Sequence, residues 1–309
     1  MRLDELGETA LIRRIRGRFQ TSGAILGIGD DAALLDLPPG HSIVFCSDLV
    51  AEDTHFSRTL HPPDSVGYKA VAVNVSDVGA MGGIPMHFVI SLAAPGDLEV
   101  DWVDAFYSGV ERACRDFNAT LVGGDTSSAK TIFVDVAMIG RVRTGAGVRR
   151  SGARIGDNVY VTGALGASAR GLELLKSGNA SAAAVKRHLY PEPRHRVGAA
   201  VCGQAHAMID VSDGLSSDLG HIVAESGVSA RIYRERLPIA EGASESDALH
   251  GGEEYELIIV APKLPGEIEG VALTCIGEIV PSAWEHQVAL VDGANESILR
   301  PRGWDHFAG

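Results

Sequence analysis

Aspartates at the edges of glycine- and serine-rich turns are the residues of this sequence with the most chemistry to offer. Asp30-Asp31, Asp48, Asp77, Asp125, Asp210 and Asp213 all sit beside glycine, serine or the ends of strand-like apolar runs rather than on charged helix faces. Singly, each has an ordinary explanation, because Asp caps helices and bonds its own backbone in turns. If they converged in one cleft, such carboxylates would protonate or splay apart unless cations lay between them. All-oxygen donors are hard and select Mg²⁺, Mn²⁺ or Ca²⁺ over zinc or copper. A magnesium site takes its remaining ligands from water and phosphate, so the expected partner is a polyphosphate such as ATP.

Two glycine-rich stretches compete for a phosphate-binding role. Gly27-Ile28-Gly29-Asp30-Asp31-Ala32 fits the loose dinucleotide pattern, with Asp48 as a possible ribose acid. Pro38-Pro39-Gly40 interrupts the short stretch before Ile43, which leaves no room for a crossover helix, and two carboxylates would repel a bare pyrophosphate. Gly163-Ala164-Leu165-Gly166-Ala167-Ser168 lacks the Lys-Ser/Thr ending of a Walker loop and reads as a tight structural turn.

The elements that must hold the aspartates are legible from periodicity. A helix is expected from Asp4 to about Phe19, a strand over Ser42–Cys46 ending at Asp48, and a helix from Ser65 to Met81 with Asn74 and Asp77 on one face. A further helix fits Glu99 to Phe117, then Thr120-Leu121-Val122 leads to Gly123-Gly124-Asp125, and Ile132 to Ile139 alternates as a strand. Past the flexible Thr144-Gly145-Ala146-Gly147, strands are expected at Asn158–Thr162, Ala207–Ile209 and Tyr255–Val260, and a helix at Ser168–Leu175. Strands and helices mix in both halves, which predicts α/β or α+β layers. The expected division is 1–147 and 148–309.

A length of 309 residues favours two domains, and 45% apolar with 22% charged residues is the balance of a folded globular chain. The net charge of -13 opposes nonspecific binding to nucleic acid or anionic lipid. Arg13, Arg14, Arg16 and Arg18 alternate with apolar residues as one solvated helix face. No apolar run reaches the ~18 residues of a membrane span and the opening residues carry no leader pattern, so a cytoplasmic location is expected. Cys46, Cys114, Cys202 and Cys275 form no Cys-x-x-Cys pair and are expected to be buried thiols.

Eight segments occur in an order that resembles the thiamine-monophosphate kinases. They are Gly27-Ile28-Gly29-Asp30-Asp31-Ala32, Ser47-Asp48 with His55-Phe56, Asn74-Val75-Ser76-Asp77, Gly123-Gly124-Asp125-Thr126, Arg150-Ser151-Gly152-Ala153-Arg154, Asp210-Val211-Ser212-Asp213-Gly214-Leu215, Gly251-Gly252-Glu253-Glu254-Tyr255 and Gly303-Trp304-Asp305-His306-Phe307. The aspartate segments are shared with the wider aminoimidazole ribonucleotide synthetase superfamily, while the last three point to the thiamine branch.

The resemblance implies a two-domain aminoimidazole ribonucleotide synthetase-like α/β fold, a homodimer paired through its N-terminal sheets, and ATP-dependent conversion of thiamine monophosphate to thiamine diphosphate with several Mg²⁺ ions. The N-terminal domain would bind metal and ATP, and the C-terminal one would complete the nucleotide and substrate sites. By motif, Asp31, Asp48, Asp77, Asp125, Asp210 and Asp213 resemble metal ligands. Cys46 and Ser47 stand where the family's threonines touch metal, Cys46 through its carbonyl because a thiol is a poor magnesium ligand. Tyr107, Gly124, Asp125, Arg150 and Ser212 resemble ATP contacts, and His55, Glu253 and Trp304 resemble substrate contacts. An indole can stack on the cationic thiazolium and a carboxylate can complement its charge. The sequence departs from the family at Glu52-Asp53-Thr54, where Glu-Gly-Val is commoner, and at Glu254, which replaces the usual Asp.

The nucleophile implied is a phosphate oxygen with a second pKa of about 6, so no general base is expected. Catalysis would come from alignment and charge neutralisation, without a phosphoenzyme. Two alternatives stand beside this reading. Another superfamily enzyme could activate a carbonyl or a selenium nucleophile, although no Cys precedes Asp30, and a nucleotide sensor would bind MgATP without consuming it.

Overall fold

The computed structural model describes residues 1–19, 24–28, 32–33, 35–179, 183–282 and 287–304; Asp31, expected as a metal ligand, and Asp305-His306-Phe307 lie outside the described residues. The chain forms two compact units, Met1–Val78 with Ile84–Thr144, and Gly79–Gly83 with Gly145–Gly309.

The first unit holds α1 (Leu3–Leu6), α2 (Glu8–Arg18), β1 (His41–Ala51), most of α3 (Pro63–Ala80), β2 (Ile84–Ala94), α4 (Val100–Phe117), β3 (Thr120–Ser128) and β4 (Phe133–Arg143). The single helix expected from Asp4 breaks at Gly7, whose φ of 77° is left-handed. The strands form one sheet in the order β1-β4-β2-β3, with β2 and β3 parallel and the other pairs antiparallel. β1 does not stop at Asp48: it pairs with β4 unbroken from His41 opposite Arg143 to Ala51 opposite Phe133. Polar side chains do not end a strand whose backbone groups stay paired, because they project out of the ladder.

Alternation gives this sheet two unlike faces. Val44 and Val50 turn inward and are buried, while Ile43, Phe45 and Leu49 turn outward, Phe45 remaining 70% exposed. The buried side is packed with α3 and α4. On α4 the helical stripe Val103, Phe106, Tyr107, Val110 and Phe117 is buried, each large side chain contributing roughly 1.5–3 kcal/mol. The two helices meet through glycine: a Cβ on Gly67 would lie 2.0 Å from the carbonyl oxygen of Phe106, and one on Gly109 would lie 1.8 Å from that of Asp64.

The second unit holds β5 (Asn158–Thr162), α5 (Ala167–Lys176), α6 (Ala183–Leu189), α7 (His195–Val201), β6 (Ala207–Asp210), α8 (Leu215–Ser226), β7 (Ser229–Tyr233), α9 (Glu245–His250), β8 (Leu257–Ala261), β9 (Glu267–Ile268), β10 (Val271–Val280), β11 (Val288–Asp292) and β12 (Asn295–Ile298). Its sheet runs β12-β11-β7-β10-β5-β8-β6, with β9 on β10; only β11 and β7 are parallel. Every residue of β8 is buried because the sheet is covered on both sides. Ile258 and Val260 join Val159, Ile209, Leu215 and Leu219 in one core, while Leu257 and Ile259 join Tyr160, Met208, Val197 and Val201 in another. No helix among the described residues is long and apolar enough to cross a membrane.

The glycine crossing yields a stability test. Gly109→Ala should destabilise the chain by about 1–3 kcal/mol in urea unfolding, since the Asp64 carbonyl cannot be moved aside. Gly17→Ala, on α2 with open space around it, should be neutral or stabilise by up to ~1 kcal/mol.

Candidate functional site

In the first unit, the inward side of β1 faces α3. The Cys46 thiol donates to the carbonyl oxygen and side-chain Oδ1 of Asn74, at 3.5 and 3.6 Å, and Asn74 is itself fully buried and bonded through Nδ2 to Ala70 O at 3.1 Å. One turn further along α3, Asp77 hydrogen-bonds Asp48. Burial pushes the Asp48 carboxyl above its usual range, the bond to Asp77 works against that, and the charge of Asp135 adds to it. Two carboxyl groups bonded to each other share a proton or a cation. Ser47 alternates to the opposite face and donates to Asp135 Oδ1 at 2.8 Å, so its hydroxyl does not join Asp48.

Asp125 stands apart from that pair. Register across the sheet puts Asp48 opposite Val136, Val136 opposite Ile90, and Ile90 opposite Gly124. Asp48 and Gly124 are therefore three strands apart, ~14 Å at the usual spacing. Gly124 and Asp125 instead line a cavity of about 610 Å³ with Ser91, Thr126, Tyr107 and the apolar Ile12, Ile15 and Ile28. A Cβ on Gly124 would lie 2.0 Å from the carbonyl oxygen of Ile90, so no other residue fits there without moving β2. Tyr107 is 3% exposed and burial raises its phenol pKa, keeping it neutral. An apolar slot ending in a polar, glycine-lined edge can take a flat base with its phosphates outward.

His55 sits in a tight turn after β1. Asp53 has a left-handed φ of 66°, His55 Nδ1 accepts the Ala51 N–H at 3.1 Å, and the buried Lys69 ammonium donates to the His55 carbonyl at 3.3 Å. An accepting Nδ1 leaves the ring proton on Nε2.

In the second unit, three segments far apart in sequence are laced together. Glu253 N–H donates to Ser212 O at 2.7 Å, Tyr255 N–H to Val211 O at 2.9 Å, and Trp304 N–H to Asp213 O at 3.2 Å. Glycine makes this approach possible: a Cβ on Gly252 would lie 2.7 Å from Ser212 O, and one on Gly303 2.1 Å from Asp213 O. Ser212, Asp213, Glu253 and Trp304 are thus brought together, with Trp304 56% exposed. Glu253 and Tyr255 both hold left-handed backbone, φ 59° and 55°, at about 1–3 kcal/mol each.

Asp218 was not foreseen. It is 1% exposed, and its Oδ2 accepts the N–H groups of Asp213 at 3.1 Å and Gly214 at 2.9 Å, closing the start of α8. Burial, then the charges of Asp210 and Asp213, push its pKa up to about 8. Donor atoms of Asp213, Asp218 and His221 lie within 4.8 Å of one another. The signal available in the sequence was an acid in the first turn of a helix opened by Asp-Gly. Hard oxygen donors crowded until burial and mutual charge raise their proton affinity suit a divalent cation of the magnesium type.

Arg150 lies elsewhere in this unit. Its carbonyl accepts from Ser226 Oγ at 3.3 Å, at the last residue of α8, whereas Asp213 precedes the first. A helix of 12 residues puts ~18 Å between those ends. The Gly163–Ser168 turn is occupied internally: Ser168 N–H donates to Glu254 Oε1 at 2.8 Å, and a Cβ on Gly163 would lie 2.5 Å from Glu256 Oε1. Glu256, 1% exposed, is bound by Arg194 at 2.7 and 2.8 Å, by Arg187 at 2.8 Å and by Thr162 at 2.6 Å.

Residues 29–142 match the AIR synthase related protein, N-terminal domain, and residues 154–275 the corresponding C-terminal domain, which defines a two-domain protein of the AIR synthase related class. The sequence is 37% identical to the thiamine-monophosphate kinase of Aquifex aeolicus, over 99% of this chain and 100% of that protein. Among solved structures, the thiamine-monophosphate kinase of Stenotrophomonas maltophilia is 34% identical, with a TM-score of 0.81 over 94% of this chain and 98% of that one. AaThiL complexed with AMPPCP and TMP is 37% identical, with a TM-score of 0.80 over 99% of each. The chain belongs to the thiamine-monophosphate kinase family.

The titration of Asp218 sets a pH test. A carboxyl held near 8 in the fold and near 4 when unfolded costs the metal-free protein stability as pH rises between those values. In EDTA, Asp218→Asn should melt close to the parent at pH 4.5 and at least ~2 °C higher at pH 8.5.

Proposed function

We propose that this chain transfers the γ-phosphoryl group of ATP to the phosphate of thiamine monophosphate, giving thiamine diphosphate, in the cytoplasm. The observation that carries this reading is the full-length likeness, 37% identity over 99% of each chain, to a structure complexed with AMPPCP and TMP. The cavity of Gly124, Asp125 and Tyr107 and the laced cluster of Ser212, Asp213, Glu253 and Trp304 give that likeness chemical content.

In this mechanism the cavity receives the nucleotide, with the base among Ile12, Ile15 and Ile28 and the phosphates toward Gly124 and Asp125. Ser212 is the second unit's proposed ATP contact, and Arg150 is kept as one on the family resemblance alone. Asp48 and Asp77, Asp125, and Asp210 with Asp213 are the proposed Mg²⁺ ligands, Cys46 and Ser47 contributing through their carbonyls. Bound there, Mg²⁺ would supply the positive charge that lets two polyanions approach. Glu253 complements the thiazolium charge, the Trp304 indole stacks on its face, and His55 offers its Nε2–H as a neutral donor. The attacking phosphate oxygen is already ionised near neutrality, with a second pKa of about 6, so no residue needs to remove a proton from it.

The same reading makes the chain a homodimer. Ile43, Phe45, Leu49, Ile84 and Phe133 remain exposed on the first unit's sheet, an apolar face suited to a second copy.

Incubation with MgATP and thiamine monophosphate should give thiamine diphosphate, and excess EDTA should stop it; ATP consumption without that product would sink the reading. Asp48→Asn should lower kcat by ~10²-fold or more while the melting temperature holds or rises, because a charge disfavoured by burial is removed. Trp304→Ala should raise the KM for thiamine monophosphate and spare that for ATP. Phe45→Asp should shift the chain from dimer to monomer in light scattering, whereas an unchanged mass would remove this face from the interface.

A further inference from the structure

Glu254 lies between the two left-handed residues Glu253 and Tyr255 and is 3% exposed. Its Oε1 accepts the Ser168 N–H at 2.8 Å, and its Oε2 has no hydrogen-bond partner among the described residues. Ser168 is in the first turn of α5, a helix of 10 residues whose N-cap, Gly166, has no side chain to satisfy the exposed amides. Glu254 therefore caps this helix from 86 positions away in the sequence. The contact continues: Ser168 Oγ is 3.0 Å from His188 Nδ1, and His188 Nδ1 is 3.6 Å from Glu253 Oε2. Ser168 and His188 are each 2% exposed, so the middle of this circuit is buried and only its end at Glu253 reaches solvent. It runs from Glu254 through α5 and α6 back to the neighbouring carboxylate, Glu253.

We propose that Glu254 is a positioning residue for the thiamine-phosphate side of the site, anchoring the Glu253–Tyr255 turn on the first turn of α5 so that Glu253 is held for the cationic ring. This deepens the reading given above and rests on Glu253 touching that substrate. The amides on either side of Glu254, Glu253 N–H and Tyr255 N–H, bond back to Ser212 and Val211, so the turn is pinned on one side by backbone and on the other by the Glu254 carboxyl. Removing the carboxyl frees one of the two pins. The left-handed pair can then relax, and Glu253 loses its fixed direction while the nucleotide cavity of the first unit is untouched. What is required of residue 254 is an acceptor of the right length, rather than a charge, because the group is buried with its second oxygen unpaired.

The test compares Glu254→Ala and Glu254→Gln in the full chain, with steady-state kinetics in both substrates and amide exchange at Ser168. Glu254→Ala should raise the KM for thiamine monophosphate about tenfold, leave that for ATP within about twofold, and speed exchange at Ser168. Glu254→Gln, whose amide oxygen can still accept that N–H, should restore most of both losses. Equal changes in the two KM values, an unchanged KM for thiamine monophosphate, or a Gln variant as impaired as Ala would each overturn the assignment. Should Glu254→Ala fail to fold, Glu254→Met, which fills the same space but cannot accept the Ser168 N–H, decides in its place by the same KM split. If the parent chain makes no thiamine diphosphate, faster Ser168 exchange in Glu254→Ala than in the parent would still support the anchor while showing the substrate to be mistaken.

Discussion

Like charges held close together in low dielectric are the constraint on which the rest of this structure depends. Two carboxylates 4 Å apart repel by ~4 kcal/mol at an effective dielectric of 20, a sizeable fraction of a domain's net stability. The chain nevertheless buries Asp48 within the field of Asp135, and Asp218 beside Asp210 and Asp213; burial first and then those charges make the two carboxyls favour the proton, while the Asp77 bond partly offsets this at Asp48. Such an arrangement costs the fold stability, and any cation that bound only the native form would return it, since whatever binds only that form shifts folding in its favour. By contrast, Glu256 is equally buried and is fully compensated by Arg187, Arg194 and Thr162. The protein neutralises one buried acid with its own cations, and at Asp48 and Asp218 it leaves carboxyls that favour the proton.

Close backbone approach is what holds the uncompensated groups in place. Gly252 and Gly303 sit where any side chain would collide with Ser212 or Asp213, and their absence of a Cβ lets three distant segments bond amide to carbonyl. In the first unit Gly124 plays the same part against Ile90, so that β3 lies close against β2 where Gly124 and Asp125 line the cavity. Asp48 and Asp125 are held inside strands and Asp77 inside a helix, whereas Asp210 ends β6 and Asp213 stands between it and the start of α8.

Much of this was legible in the sequence. Apolar periodicity located α3, α4 and β5 to within a residue or two, and the spacing of Asn74 and Asp77 put them on one helix face. Ser212, Asp213, Glu253 and Trp304 were each singled out by motif, but nothing in the sequence could show that glycine contacts would join them. Boundaries set by pairing were missed: β1 runs on past Asp48 because β4 is long enough to match it. Asp218 was missed because an acid in a first helical turn looks like an ordinary cap, and only burial beside Asp210 and Asp213 makes it unusual. Glu254 was noticed as a departure, but its contact with Ser168 depends on a pairing across 86 positions that no local pattern encodes.

The distances between the acidic groups also bear on how many cations the first unit can use. Magnesium binds oxygen at about 2.0–2.1 Å, so one ion joins carboxylates only when their oxygens come within roughly twice that length. Asp48 and Asp77 meet this condition by bonding to each other. Asp125, next to a residue three strands and ~14 Å from Asp48, does not meet it within one chain. A single ion shared by all three is therefore excluded by the sheet itself, and ligands at both places would belong to separate ions. What can connect separate ions over such a span is an extended polyanion with oxygens along its length, and that is the shape of the triphosphate the cavity beside Asp125 is suited to receive.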